Sequence, residues 1–309
     1  MLPEIRQTDY LYEVPKFELD RDDILGFAEE LKGFHENFVD CFHRSESRDN
    51  FFRYMSGQFS QLERKSIEPI AIAVEGGKIR AMQRFVSDAP WDDDKIERKY
   101  RSLINEDLGH PDGAIIFDES GFVKKGDDSI GVARQYCGTV GKVDNCQVGV
   151  FAAYTSAYGY ALIDKRLYIP EQWFTEEYSE RRKKCKLPFG VEFKTKPQIA
   201  VDMLQDIAKQ EQIPFGYVLA DSVYANSPEF VEAVEALITV TYLLQVPEDT
   251  LCWVKNPCTI TKTYKYNGQV RTKKILSGQT KDPIPACMAT VIALIISPAW
   301  LQTMVAPRR

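Results

Sequence analysis

Histidine is scarce in this chain, with three in 309 residues, His35, His43 and His110. His35 and His43 share a segment with Cys41, but they stand eight apart and no second ligand cluster follows, which argues against a local zinc site. The seven cysteines, at 41, 137, 146, 185, 252, 258 and 287, are odd in number and form no CxxC pair. They read as reduced thiols rather than a disulfide frame or a zinc ribbon. The N-terminal run MLPEIRQTDY lacks a basic stretch followed by an apolar one, so no secretory signal is visible and a cytoplasmic location is expected. Long apolar runs are also missing. The stretch from Ala286 to Ser297, bracketed by prolines, falls short of the ~20 residues a span needs, so no membrane role is expected.

Acid is missing from one region altogether. Between Thr250 and Lys281 stand Lys255, Lys262, Lys265, Arg271, Lys273, Lys274 and Lys281 with no aspartate or glutamate, although the whole chain carries a net charge of -6. The total argues weakly against a general nucleic-acid coat, yet this local excess could lie along a polyanion. Within it, TKTYKYNGQVRTKK alternates around Asn267-Gly268, a pair suited to a two-residue hairpin.

What is present is enough for a sizeable core: 44% hydrophobic residues, in a length that suits two domains or one with an elaboration. Residues 20–110 read as helical, with Leu31, Phe34, Phe38 and Phe42 forming a core-facing stripe. The acids Asp92, Asp93 and Asp94 suit a first helical turn. Residues 63–100 hold Lys78, Arg80, Arg84 and two expected helices split by Gly76-Gly77, a possible small DNA-binding unit. From Gly113 the pattern turns to strands, at Ala114–Phe117, Ser129–Ala133, and two more within residues 145–160 joined near Ser156. A helix is expected over Lys196–Gln210, then an apolar strand within Phe215–Tyr224, then a helix opened by Ser227 and Pro228.

Two of these strands run into acid, at Asp118 and Asp221. In a ribonuclease-H-like sheet the first strand lies beside the one that follows the first helix, and the two carboxylates would then stand side by side. Their repulsion in a low-dielectric cleft would be relieved by a divalent cation, with Mg2+ the natural hard ion. Nucleases and polynucleotidyl transferases use two such ions about 4 Å apart. The plainer reading is turn chemistry, since Asp118-x-x-Gly121 is an ordinary turn sequence, and spacing alone leans that way. Alternation places Glu119 on the face opposite Asp118, so it is no immediate partner.

Other motifs carry less. Gly138-Thr139-Val140-Gly141-Lys142 lacks phosphate-loop spacing, Cys137 and Cys146 are expected to pack, and Trp173, Tyr168 and Trp253 are more often core than base-stacking platforms.

Five runs then resemble bacterial insertion-sequence transposases of the DDE superfamily, group 701: DESGFVKKG, GVARQYCGTVGKVDNCQVGVF, LIDKRLYIPEQW, FKTKPQIA and FGYVLADSVYANSPEF. The resemblance implies a ribonuclease-H-like mixed sheet with flanking helices, preceded by a helical N-terminal region. It implies DNA strand cleavage and strand transfer with Mg2+, acting on double-stranded DNA at element ends and at a target. Asp118 matches the first acid of the family's triad, with Ser120 where the family has threonine, and Asp221 the second, followed by Tyr224.

The third acid, a glutamate on a late helix, has no counterpart here, because no glutamate follows Glu248. The chain is therefore expected to divide into a helical region at 1–110 that is a candidate for DNA binding, a catalytic core at 111–250, the start of a basic β-insertion at 251–282, and an aberrant apolar tail at 283–309. It implies a truncated transposase, inactive alone. DNA contacts are expected from Lys124, Lys125, Arg134, Lys262, Lys265, Arg271, Lys273 and Lys274. The alternative is a non-catalytic fragment that binds DNA, associates with itself or binds full-length transposase as a competitor.

Overall fold

The computed structural model describes residues 20–246, and the backbone of 251–252, 259–266, 269–276 and 284–285. The chain divides into two compact units, Met1–Lys99 and Tyr100–Arg309.

In the first unit, α1 (Arg21–Glu36) is opened by a capping box, in which the Asp20 carboxylate accepts from the amides of Asp22 and Asp23 while Asp23 accepts from the amide of Asp20. The expected stripe is not a single helix face. Helix α1 stops at Glu36, its own Phe34 is 41% exposed, and Phe38 and Phe42 lie past its end and are buried. Asn37 ends the helix, donating to the carbonyls of Gly33 and Phe34, and the chain then turns so that Phe42 meets Phe51, Phe85 and Trp91.

Helices α2 (Ser45–Gln58), α3 (Ile67–Ala73) and α4 (Ile79–Ser87) pack on one another around Ile70, Ala71 and Met82. Gly57 permits the close approach, since a Cβ there would sit 2.3 Å from Ile70 Cγ2. The α3–α4 turn contains Gly76 at φ +67°, a left-handed backbone that glycine adopts without steric cost. On α4, Met82 and Phe85 face inward while Arg80, Gln83, Arg84 and Ser87 are exposed, as is Lys78 just before it. Helix α5 (Asp93–Leu108) places Asp93 and Asp94 in its first turn, with Asp92 accepting from the Lys95 amide.

The second unit is built on a mixed sheet. Strands β1 (Ala114–Val123), β2 (Ala133–Cys137), β3 (Lys142–Ser156) and β4 (Gly159–Tyr168) are antiparallel neighbours, with β2 and β4 sharing one edge of β3. After α6 (Ser179–Cys185) and α7 (Lys196–Gln210), β5 (Tyr217–Ala220) pairs parallel to β1, and after α8 (Ser222–Ala225) and α9 (Pro228–Glu235), β6 (Thr241–Leu244) pairs parallel to β5.

Two strand expectations need correction. Residues 129–132 form a turn and the strand starts at Ala133, where the ladder to β3 begins. β1 does not end at Phe117; it runs on to Val123 because β3 supplies partners along its whole length, Asp118 opposite Phe151 and Gly121 opposite Val148. The Asp-x-x-Gly run is therefore extended backbone, not a turn.

One face of the sheet is covered. Ile115, Phe117, Val150, Ala152, Tyr154 and Ile163 pack against Ile199, Met203, Leu204 and Ile207 of α7 and Phe230 and Val234 of α9. At its edge, buried Arg101 of α5 holds the Ile163 carbonyl, Gln210 and the Asp164 carboxylate at 2.8, 2.7 and 3.2 Å. The opposite face carries the row Leu162, Ala153, Ile116, Leu219 and Leu243, whose end members are 55% and 45% exposed.

Further on, β7 (Leu251–Cys252) pairs with β10 (Ile284–Pro285), and β8 (Thr259–Tyr266) forms an antiparallel hairpin with β9 (Gln269–Leu276). Tyr266 pairs with Gln269. The expected turn residues Asn267 and Gly268, Trp253 and the apolar tail from Ala286 lie outside the described residues. Among the described residues no helix is long and apolar enough to cross a membrane.

Candidate active site

Asp118 and Asp221 are brought together by strand register. Phe117 and Ala220 are ladder partners in parallel strands, so the next residue on each strand is an aspartate, and neighbouring strands lie about 4.8 Å apart. β5 stops there and β1 continues, which leaves both acids at the carboxyl end of the parallel pair, where open α/β sheets leave a crevice. Asp221 is also the N-cap of α8, its Oδ1 accepting from the Val223 amide at 2.9 Å. Asp118 Oδ1 accepts from the Glu119 amide at 2.7 Å. Each carboxylate is thus oriented through one oxygen, and no described contact engages the other.

The electrostatics match that geometry. The Asp118 carboxyl is held above its ordinary range, first by desolvation and then by the charges of Glu119 and Asp221, against the pull of the Glu119 amide and Lys196. Glu119 points to the opposite face, as alternation requires, and is engaged there. Its Oε1 accepts from Lys196 Nζ at 2.6 Å and its Oε2 from the Tyr224 hydroxyl at 3.1 Å. Burial and the Glu119 charge push the Tyr224 phenol far above its usual value, so it stays a donor.

The basic residues expected near the acids are spread out. Lys124 follows the end of β1, about 20 Å along the strand from Asp118. There its amide donates to the Asn145 carbonyl, and Lys125 follows it, exposed. Arg134 of β2 pairs with the same Asn145 from the other side, and Asp144 feels its charge. In the hairpin Lys262 is opposite Lys273, Lys274 opposite Thr261, Arg271 opposite Tyr264 and Lys265 opposite Val270.

Sequence reasoning missed two lysines closer to the acids. Lys196 opens α7, and Lys165 is exposed on β4 in the row Lys165, Phe151, Asp118. The signal for Lys165 was its register across β3, which sequence alone does not supply. A second basic run, Arg181 to Lys186, is largely spent internally: Arg181 bonds Asp127 and lies over Trp173, Lys183 meets Glu180, and Lys184 meets Asp128. Trp173 itself is fully buried and donates to the Val132 carbonyl, a core residue rather than a stacking platform. Cys137 and Cys146 are likewise buried, and the Cys146 thiol is raised to about 11, mainly by desolvation.

Four antiparallel strands, a crossover through α6 and α7, and two parallel strands beside the first define a ribonuclease-H-like α/β fold. The chain belongs to the DDE superfamily endonucleases, whose family model matches residues 37–296. Among curated proteins it is similar to the "Probable transposase for insertion sequence element IS701" of Microchaete diplosiphon, 30% identical over 196 residues, which is 63% of this chain and 48% of that one. The chain therefore spans about half the length of the curated relative it matches.

Members of this superfamily generally work with divalent metal ions. The donor set at Asp118 and Asp221 fits such an ion: two hard carboxylate oxygens on adjacent strands, each with its partner oxygen already tied to a backbone amide. Among the described residues no group of three or more histidine, cysteine, aspartate or glutamate side chains is placed to hold a metal.

Proposed function

We propose that this chain is part of an insertion-sequence transposase, and that Asp118 and Asp221 are two of the acids that hold Mg2+ for DNA strand cleavage and transfer. The observation that carries this reading is the parallel register that makes the two aspartates neighbours. When bound, the metal would activate the attacking oxygen and stabilise the leaving one. The chain's own work is to hold two carboxylates against their mutual repulsion and to orient them through the Glu119 and Val223 amides.

The chain has no glutamate after Glu248, and a two-ion site needs more oxygen donors than two aspartates give. The 309-residue chain, alone with Mg2+ or Mn2+, is therefore expected not to nick DNA carrying element ends. A nicked-circle assay checks this, and Asp118-dependent product would overturn it.

Cytoplasmic double-stranded DNA is the proposed partner. In the hairpin the backbone register sets Lys262 opposite Lys273, and both are proposed to meet phosphate. Lys265, Arg271 and Lys274, with Lys124, Lys125 and Arg134, would add sequence-independent phosphate contacts. In the helical region, α4 offers a second surface. It follows a glycine turn, packs by Met82 and Phe85, and exposes Lys78, Arg80, Gln83 and Arg84 with no acid between Gly76 and Ser87. This is the layout of a helix that enters the major groove. Replacing Arg80 and Arg84 together by alanine is expected to weaken binding to a duplex and to lower the slope of log affinity against log salt by about 2. An unchanged slope in fluorescence anisotropy titrations would remove α4 from the interface.

The second reading, a non-catalytic competitor, is favoured by the row ending in half-exposed Leu162 and Leu243. It is an apolar face beside the acids that self-association or full-length transposase would cover.

A further inference from the structure

We infer that Glu119, Lys196 and Tyr224 form a brace behind the sheet that sets the spacing of Asp118 and Asp221 and so tunes their affinity for a divalent cation. The inference rests on reading those two aspartates as metal ligands. Neighbouring strands alone do not fix the pair. Asp118 lies on β1 past the end of the β5 ladder, and Asp221 lies at the first turn of a four-residue helix. Something must couple that short helix to β1, and Tyr224 does. It stands three residues after Asp221 on α8, is fully buried, and reaches across to Glu119, the residue next to Asp118, at 3.1 Å.

Glu119 is held from a second direction by Lys196, at 2.6 Å, which anchors it to the first turn of α7; the lysine also lies 5.7 Å from the centre of the Tyr168 ring. The Glu119 and Lys196 side chains are only 18% and 21% exposed, so the ion pair is largely shielded from screening. Three elements that approach the acids from behind, β1, α7 and α8, thus meet at one carboxylate. None of the three side chains occupies the face where Asp118 stands, so they are positioning residues and not ligands. Such outer partners commonly change metal affinity 10- to 100-fold, by order of magnitude, when removed.

The experiment is an Mn2+ titration of the full chain followed by electron paramagnetic resonance of the free ion, with a thermal melt of each metal-free protein alongside. The proteins are the parent chain, Asp118→Asn, Tyr224→Phe and Glu119→Gln. The expected result is Asp118-dependent binding in the parent and binding about tenfold weaker in Tyr224→Phe, which keeps the ring and loses one donor. Glu119→Gln, which keeps shape and loses charge, should weaken binding in the same direction and serves if the tyrosine variant is poorly folded. Asp118-dependent binding that is equally tight in both variants would overturn the brace and leave the reading of the aspartates intact. Absence of Asp118-dependent binding in the parent would overturn the reading of the aspartates themselves. A lowered melting temperature with unchanged Mn2+ affinity would mark the cluster as structural only, and also counts against the brace.

Discussion

Replacing Asp164 by alanine is expected to destabilise the second unit by about 3–5 kcal/mol, the usual cost of leaving a buried charge without its partner. The Arg101 and Asp164 side chains are 5% and 4% exposed and meet at 3.2 Å. Arg166 approaches the same carboxylate at 3.5 Å, and its other oxygen accepts from the Lys165 amide at 2.6 Å. Truncation therefore takes a carboxylate from beside a buried guanidinium, in a site with little water to replace that acceptor. Arg101 also ties α5 to the Ile163 carbonyl of β4 and to Gln210 at the end of α7, so its displacement would loosen three elements at once. Urea denaturation followed by circular dichroism checks this. Changing Arg101 to methionine together with Asp164 to leucine should recover part of the loss, because apolar residues of similar volume remove both charges. A loss below about 1 kcal/mol for the single change would mean that water or another acceptor satisfies Arg101.

The second large effect joins stability to function. Asp118→Asn is expected to abolish Mn2+ binding at the acid pair while raising the melting temperature of the metal-free protein by about 1–2 °C. The Asp118 carboxyl is raised by desolvation and by the Glu119 and Asp221 charges, so folding works against its ionised form, an effect that its exposure to water keeps small. Asparagine keeps the shape and an acceptor for the Glu119 amide and removes that penalty. Differential scanning calorimetry with and without Mn2+ separates the two effects. If the variant melts lower than the parent without metal, then Asp118 is a structural acceptor and not a strained ligand.

Much of this was legible in the sequence because the signals were local. Helix α7 occupies Lys196–Gln210 as its periodicity implies, with Ile199, Met203, Leu204 and Ile207 inward and Thr195 accepting from the Gln198 amide at its start. The adjacency of Asp118 and Asp221 followed from element order, since a strand after a crossover helix returns parallel beside the first. The failures were non-local. DESG looked like a turn because turn propensity is written in four residues, whereas the ladder that keeps it extended comes from β3, about thirty residues on. The stripe from Leu31 to Phe42 had helical spacing, but Asn37 ends α1 and the last two phenylalanines reach the core by a bend. The cluster behind the acids was invisible for the same reason. Lys196 and Tyr224 are distant from Glu119 along the chain and meet it only through packing.

The central claim is that Asp118 and Asp221 share a divalent cation. It is tested most directly by soaking crystals of the chain in Mn2+ and measuring anomalous scattering at the manganese edge. The account predicts a peak between the two carboxylates, within inner-sphere reach of one oxygen from each, which vanishes in Asp118→Asn crystals. A well-ordered pair of carboxylates with no peak between them, or manganese bound only elsewhere, would contradict it.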